Sequence, residues 1–193
     1  APDVQFTTDE NATCRWDLSD VSYPGMADCS GAGTTSHTCL TSGLSEGSNT
    51  IYFACLDSHG NYHKADVNIE IPYSVDTSKP TDVSAVYDGT TIGVDIDSTN
   101  SSSMLSANWS AAQDSQSGIA RYWYAIGTSP GATDVVNWTN NGAATATTKS
   151  GLSLQDGAVY YFVVKAENGA GLMSANATTS DGQMVSTTGQ PPD

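Results

Sequence analysis

The chain has 193 residues and is strongly acidic, with 6 Lys and Arg against 21 Asp and Glu and a formal net charge of −15. Phosphate backbones are bound by clustered Lys and Arg, and anionic lipids repel acidic surfaces, so we exclude nucleic acids and membrane surfaces as partners. No apolar run reaches the ~18 residues that a membrane-spanning helix needs, so no membrane insertion is expected. The negative charge favours solubility and affinity for divalent cations.

Two stretches of the chain, 42–61 and 150–171, follow the same order of features. Each has a Ser-Gly-Leu turn, then an alternating apolar strand, then a hairpin turn rich in Gly and Asn. A repeat of this kind at domain spacing indicates two related β-domains in tandem. No helical period of useful length is present. We therefore predict an all-β chain of two tandem β-sandwich domains.

The first domain is predicted to cover residues 1–75, and a linker at 76–80 follows it. Its strands are predicted at 4–7, 13–17, 35–41, 50–56 and 63–71. This is a low strand count for a sandwich. We therefore expect this domain to lack its first strand or to receive it from elsewhere.

All four cysteines lie in the first domain, and an even number in a small domain favours disulfides and an extracellular or cell-surface location. Four cysteines allow three pairings, and sequence alone does not choose among them. We favour Cys14–Cys55, because both residues lie in predicted core strands. Cys29–Cys39 would then close the Gly-rich loop between those strands.

A zinc site is the alternative to disulfides. Cys55, His59 and His63 fall at a spacing that zinc ligands show. However, His59 lies inside a predicted turn, and the chain contains no Cys-x-x-Cys pair. The disulfide interpretation is therefore preferred.

The second domain is predicted to cover residues 81–189, with a linker-like tail at 190–193. Its strands are predicted at 81–87, 91–96, 103–110, 120–127, 143–150, 159–166 and 172–177, and Val185 closes an edge. The tail resembles the linker at 76–80 in composition. We therefore expect the chain to be a processed product or a piece of something longer.

The segment 154–168 carries a family resemblance. Its residues LQDGAVYYFVVKAEN resemble the fibronectin type III pattern L-x-P-G-T-x-Y-x-x-x-V-x-A-x-N, with Asp156 in place of Pro and Ala158 in place of Thr. The resemblance covers roughly 80–188. It implies that Trp109 is the buried strand Trp of that family and that Tyr160 is its corner tyrosine, whose hydroxyl bonds nearby backbone. Residues 114–139 resemble a subgroup found in large secreted bacterial proteins.

The first domain resembles bacterial immunoglobulin-like modules through ENATC at 10–14 and C-x-D-x-x-G-N at 55–61. The fold class is therefore an immunoglobulin-like domain followed by a fibronectin type III-like domain. In those families such modules are spacers, adhesive units or accessory domains, and they are not catalytic. The resemblance implies an extracellular structural or adhesive module of a larger assembly, with other modules or subunits as partners.

Two alternatives to that function come from other classes. One is a subunit of an extracellular filament that is completed by strand exchange. The other is a glycan-binding accessory domain of a secreted polysaccharide-degrading enzyme. We do not expect an enzyme, because all three histidines lie in the first domain and so cannot pair with a nucleophile in the second.

Strand alternation predicts one contact surface. Trp123 lies between two tyrosines that are assigned to the core, so its side chain should point outwards together with Arg121. On the strand expected beside it, Tyr161 and Lys165 also point outwards. We predict that these four residues contact a partner or a glycan. The alternative is that Arg121 and Lys165 simply cover Trp123 in a cation–π stack.

The segment 95–100 begins like a calcium-binding loop but lacks its Gly and its closing Glu. If the segment is a strand, Asp95 and Asp97 share one face and lie close enough to bind calcium. Plain solvation of the two carboxylates is the alternative. No other cofactor is expected.

Overall fold

The computed structural model describes residues 3–63 and 67–187. The chain forms two compact units, Ala1–Asp76 and Thr77–Asp193, which we call unit 1 and unit 2. Within the described ranges the helical structure is one 3₁₀ turn, Tyr23–Gly25, and no helix is long and apolar enough to cross a membrane. The all-β prediction is confirmed. Part of the predicted strand at 63–71 and the predicted tail at 190–193 lie outside the described residues.

The described part of unit 1 forms one hydrogen-bonded sheet. Its strands are β1 (Asp3–Asp17), β2 (Ala27–Asp28), β3 (Thr34–Leu40), β4 (Gly47–Asp57) and β5 (Ile69–Val75). They follow the order β2-β1-β4-β5, and β3 also pairs with β1. The long strand β1 joins two segments that the sequence predicted separately. Its first part pairs with β3 and its last part with β4, and the register to β3 shifts between Thr7 and Ala12.

The core of unit 1 lies over the last part of β1. There Cys14 faces Cys55, and Trp16 faces Phe53 across the β1–β4 ladder. These residues belong to one apolar cluster, and a smaller cluster around Ala54 covers the other face of β4. No residue of 3–11 is buried, although these residues are paired with β3. The first part of β1 is therefore incompletely covered by the described residues.

Unit 1 contains both predicted disulfides. The Cα atoms are 4.0 Å apart in Cys14–Cys55 and 4.3 Å apart in Cys29–Cys39. The zinc alternative is wrong, because the sulfur of Cys55 is bonded to Cys14. Moreover, Nδ1 of His63 accepts a hydrogen bond of 3.3 Å from the backbone N–H of Cys55.

The described part of unit 2 forms two sheets. Its strands are β6 (Val86–Asp88), β7 (Ser98–Thr99), β8 (Met104–Trp109), β9 (Ile119–Gly127), β10 (Val136–Asn140), β11 (Ala146–Ser150), β12 (Val159–Asn168), β13 (Thr178–Thr179) and β14 (Gln183–Val185). One sheet has the order β11-β8-β6, and the other has the order β10-β9-β12-β14-β7 with β13 beside β12.

The strands predicted in unit 2 at 91–96 and 172–177 are wrong, only 86–87 of the one predicted at 81–87 is a strand, and β7, β10 and β13 were missed. Residues 91–96 form a turn and a loop, and residues 172–177 contribute only one isolated bridge. Strand β10 was missed, because it is an edge strand whose five residues are all at least partly exposed. Val136 and Trp138 alternate with polar residues, but the strand has only five residues and its register to β9 shifts between Val136 and Thr139.

The core of unit 2 lies between the two sheets. Every second residue of a strand points to the same face, so the core residues alternate along each strand. The core takes alternate residues from β8, β9 and β12, and Trp109 is 2% exposed. The ring of Trp109 packs edge-on against Tyr122, with the centroids 5.8 Å apart. The hydroxyl of Tyr160 accepts a 3.0 Å hydrogen bond from the backbone N–H of Gln155. The core Trp and corner Tyr implied by the fibronectin type III resemblance are both confirmed.

Candidate functional site

The face of β9 and β12 that points away from the core carries the four residues predicted as a contact surface. Arg121, Trp123, Tyr161 and Lys165 are all half-buried, and each alternates with core residues on its strand. The register places Lys165 opposite Trp123 and Glu167 opposite Arg121. Tyr161 lies at the far end of this face, about 13 Å along β12 from Lys165 at the usual rise per residue. The structure thus brings three of the four residues together.

Glu167 connects Arg121 and Trp123, and the sequence interpretation missed it. The indole N–H of Trp123 donates a 2.6 Å hydrogen bond to Oε2 of Glu167. Nε of Arg121 lies 3.6 Å from Oε1 of the same carboxylate, whose side chain is 16% exposed. The alternation that placed Lys165 outwards also places Glu167 outwards, so this signal was present in the sequence.

Lys165 covers Trp138, whereas the cation–π alternative placed it over Trp123. Its Nζ lies 5.7 Å from the ring centroid of Trp138 on β10, which is within the range of a cation–π contact. Trp138 is 37% exposed. It lies on the same face as Trp123, because it is two residues before Asn140, the direct partner of Trp123. We call the surface formed by Arg121, Trp123, Trp138, Lys165 and Glu167 the outer face.

The histidines of unit 1 and the acidic turn residues have structural partners. His37 is buried, and its Nε2 lies 3.2 Å from the hydroxyl of Thr8. The carboxylate of Asp57 accepts hydrogen bonds from the side chain and backbone of Asn61, and these bonds lower the pKa of Asp57. In the same way, bonds from the Asn168 amide and from backbone N–H groups of its own turn lower the pKa of Asp114.

Unit 2 also contains a cluster of three acidic residues. One carboxylate oxygen from each of Asp88, Asp95 and Asp181 lies within 4.8 Å of the others. Asp88 is fully buried at the end of β6, whereas Asp95 and Asp181 lie in exposed loops. The structure therefore groups Asp95 with two acids that the sequence interpretation did not select. Asp97 is not a member of the group, although its charge contributes to the raised pKa of Asp181, and 90–97 is not a strand, so the shared strand face predicted for Asp95 and Asp97 is absent.

Burial and mutual repulsion perturb these carboxylates. Burial, followed by the charges of Asp95 and Asp181, raises the pKa of Asp88 to about 7, against the opposing hydrogen bond from Ser180. Burial and the carboxylate of Asp95 also raise the pKa of Asp181. A raised carboxyl pKa means that the surroundings stabilise the ionised carboxylate less well than water does.

Asn108 holds the loop that brings Asp95 to Asp88. Asn108 is fully buried on β8, and its Oδ1 accepts a 2.8 Å hydrogen bond from the N–H of Gly93. Its Nδ2 donates to the carbonyls of Gly89 and Val94 at 3.1 and 3.2 Å. One side chain therefore satisfies three backbone groups of this loop. The loop's position lets Oδ1 of Asp95 accept a 2.6 Å hydrogen bond from the N–H of Asp88.

No protein-family model matches the chain, and no curated protein matches it. Among solved structures the chain resembles domains A168–A170 of titin, with a TM-score of 0.47 and 16% identity over 94% of this chain and 56% of that one. It also resembles the FN1–FN3 domains of chicken CNTN1, with a TM-score of 0.44 and 11% identity over 90% of this chain and 56% of that one. The chain thus spans little more than half of either structure. Likenesses this distant carry no argument on function, and the fold rests on the strand pairing within each unit.

Proposed function

We propose that the chain is a non-catalytic extracellular module that serves as a structural or adhesive unit of a larger secreted or cell-surface assembly. In this proposal the outer face of unit 2 contacts another protein subunit. The observation that carries the proposal is a partly exposed aromatic and cationic cluster on a strongly acidic chain.

The composition of the outer face supports a protein partner. Aromatic residues and Arg are enriched at protein interfaces, and Trp, Tyr and Arg dominate their binding energy. Arg121 and Lys165 are two of only six Lys and Arg residues in the chain. Arg121 is paired with Glu167, so Lys165 is the cation that acidic surface on a second copy would complement, against the overall repulsion between two chains of net charge −15. We take another copy as the partner to be tested.

The rest of the chain supports a role without catalysis outside the cell. Two disulfides are typical of proteins that fold in oxidising compartments. Each histidine of the chain has a hydrogen-bonded neighbour that explains its position: His37 with Thr8, His59 with Ser58, and His63 with the backbone of Cys55. Asp57 and Asp114 stabilise turns.

Trp138→Ala is the variant that tests the outer face. We expect the wild-type chain to self-associate with rising concentration and the variant to associate at least about tenfold more weakly, because a Trp hot spot contributes ~2 kcal/mol or more. Folding should be nearly unaffected, because Trp138 lies on an edge strand and is 37% exposed. Sedimentation velocity over a wide concentration range measures the association. Trp123 is a poorer probe, because its loss would leave Glu167 without the indole N–H.

Met104→Ala is the matched control for Trp138→Ala. Met104 is 43% exposed and lies on β8 of the opposite sheet. The Met104→Ala variant should leave self-association unchanged. A chain that stays monomeric at every concentration, or two variants that weaken association equally, contradicts a protein contact at the outer face. Binding of the wild type, but not of Trp138→Ala, on a glycan array would instead support the glycan-binding alternative.

A second candidate, a filament subunit completed by strand exchange, is favoured by one observation in unit 1. The first part of β1 pairs with β3, yet none of its residues 3–11 is buried. A cavity of about 500 Å³ lies beside it and is lined by Phe6, Tyr62 and Ile69 among others. An added strand from a neighbour would cover this surface, as in donor-strand complementation.

Electron microscopy of the purified chain tests the filament candidate. Strand exchange predicts polymers that persist on dilution, because each added strand contributes main-chain hydrogen bonds along its length. Phe6→Asp should abolish such polymers while leaving the reversible outer-face association intact, and because Phe6 also packs against His37 and Phe53, urea denaturation has to show that unit 1 of the variant is folded. Polymers that survive Phe6→Asp would rule out strand exchange at β1.

A further inference from the structure

We propose that Asp88, Asp95 and Asp181 form a binding site for a divalent cation of the Ca²⁺ class in unit 2. This site is separate from the outer face, and it stands or falls independently of the proposed function.

The spacing of the three carboxylates fits one hard cation. Ca²⁺ binds oxygen ligands at ~2.3–2.6 Å, so two oxygens on the same ion are at most about 5 Å apart. The three donor oxygens here all lie within 4.8 Å of one another. The ligands are oxygens alone, which suits Ca²⁺ better than a metal that prefers nitrogen or sulfur.

A second observation, an unsatisfied carboxylate oxygen of Asp88, also points to a bound ligand. This residue is 0% exposed, and its Oδ1 has no hydrogen-bond partner among the described residues. The bonds that do reach this carboxylate are a 3.2 Å bond from the N–H of Gly182 to Oδ2 and one from the side chain of Ser180, and they leave Oδ1 unsatisfied. A buried carboxylate oxygen without a donor is costly, and such groups are normally paired or bound to a metal. A cation between the three acids would satisfy this oxygen.

No basic side chain neutralises the group. The ion pairs found within 3–63 and 67–187 are Arg15–Asp28 and Arg121–Glu167, and neither involves these three acids. Three carboxylates this close together, without a basic partner, favour a bound cation that offsets their charge.

The backbone around the acids is already held in place. Gly89 and Gly182 each follow one of the acids and have φ values of +105° and +106°. A β-carbon on Gly89 would lie 2.8 Å from Ile96, and one on Gly182 would lie 2.6 Å from Tyr161. Together with the bonds from Asn108, this close packing fixes the carboxylates before an ion arrives, which lowers the cost of binding.

The exposure of two of the acids sets the expected affinity. Asp95 and Asp181 are open to solvent, so water would complete the coordination of the ion. Three carboxylates with the remaining ligands from water correspond to a modest affinity. We expect a Kd of about 10⁻⁴–10⁻³ M, as in extracellular calcium modules.

Isothermal titration calorimetry of the EDTA-treated chain with CaCl₂ tests the site. We expect one bound Ca²⁺ per chain, and 10 mM CaCl₂, about tenfold or more above the expected Kd, should raise the Tm of unit 2 by about 5 °C or more. NaCl at matched ionic strength should not reproduce this shift, because screening is not site-specific. A titration without measurable binding, or an equal shift in NaCl, overturns the proposal.

Variants separate this site from diffuse binding to an acidic surface. Asp181→Asn and Asp95→Asn should each weaken Ca²⁺ binding by more than about tenfold, because each removes a charged ligand. Asp9→Asn removes the same charge from an exposed position in unit 1 and should bind as the wild type does. Asp97→Asn should also retain binding. Equal losses in all four variants would mean diffuse binding, and loss in Asp97→Asn alone would mean a different set of ligands; either result overturns the assignment.

Discussion

Replacing Cys14 and Cys55 together with alanine is expected to lower the free energy of unfolding of unit 1 by about 4 kcal/mol. This disulfide closes a loop with a sequence separation of 41 residues and lies in the centre of the core. Its loss restores chain entropy to the unfolded state and also leaves a small cavity. Because the free energy of unfolding of a protein is typically only about 5–15 kcal/mol, this loss is a large share of it. Scanning calorimetry should show the transition of unit 1 at a lower temperature and that of unit 2 unchanged.

The Cys29–Cys39 disulfide provides the matched comparison. Its separation is 10 residues, so removing it with alanines should cost about 3 kcal/mol, less than the longer loop costs. If the shorter loop proves the more costly, chain entropy does not govern the stability of this unit, and packing around the buried Cys39 does. A shift of the transition of unit 2 in either variant would contradict independent stabilisation of unit 1.

Asn108→Ala is expected to lower the free energy of unfolding of unit 2 by about 3 kcal/mol. The substitution removes hydrogen bonds to three backbone groups, including the buried carbonyl of Gly89, and it leaves a cavity on β8. The other two backbone groups, the N–H of Gly93 and the carbonyl of Val94, belong to exposed residues that water can reach. The expected loss of unfolding free energy is therefore smaller than for three buried hydrogen bonds. Urea denaturation followed by tryptophan fluorescence, to which the core residue Trp109 and two other tryptophans of unit 2 contribute, measures the change.

Asn100→Ala is the control for this variant. Asn100 is exposed between β7 and β8, so its loss should change stability by less than about 0.5 kcal/mol. Because Asn108 positions the loop that carries Asp95, Asn108→Ala should also weaken Ca²⁺ binding, and Asn100→Ala should not. An Asn108→Ala protein of wild-type stability would show that this loop does not depend on the side chain.

The sequence alone determined the features that depend on local pattern. Strand alternation identified the all-β class and placed Tyr122 and Tyr124 inwards and Trp123 outwards, because the period of two is a property of each strand by itself. A short motif identified Tyr160 as the corner tyrosine, and its bond to Gln155 spans only five residues. The sequence favoured the two disulfide pairs that the structure contains, because Cys14 and Cys55 lie on predicted core strands, but it did not exclude the other pairings.

Only the tertiary structure decided which side chains from different elements meet. Asp88, Asp95 and Asp181 come from a strand end and two loops, and no local period connects them. The bond between Trp123 and Glu167 depends on the register of β9 against β12, and the contact of Lys165 with Trp138 depends on the pairing of the edge strand β10 with β9. Bonds from Asn108 hold part of 91–96, which was predicted as a strand, in a loop. Long-range hydrogen bonds and register set these contacts, and neither is encoded in the spacing of residues along one segment.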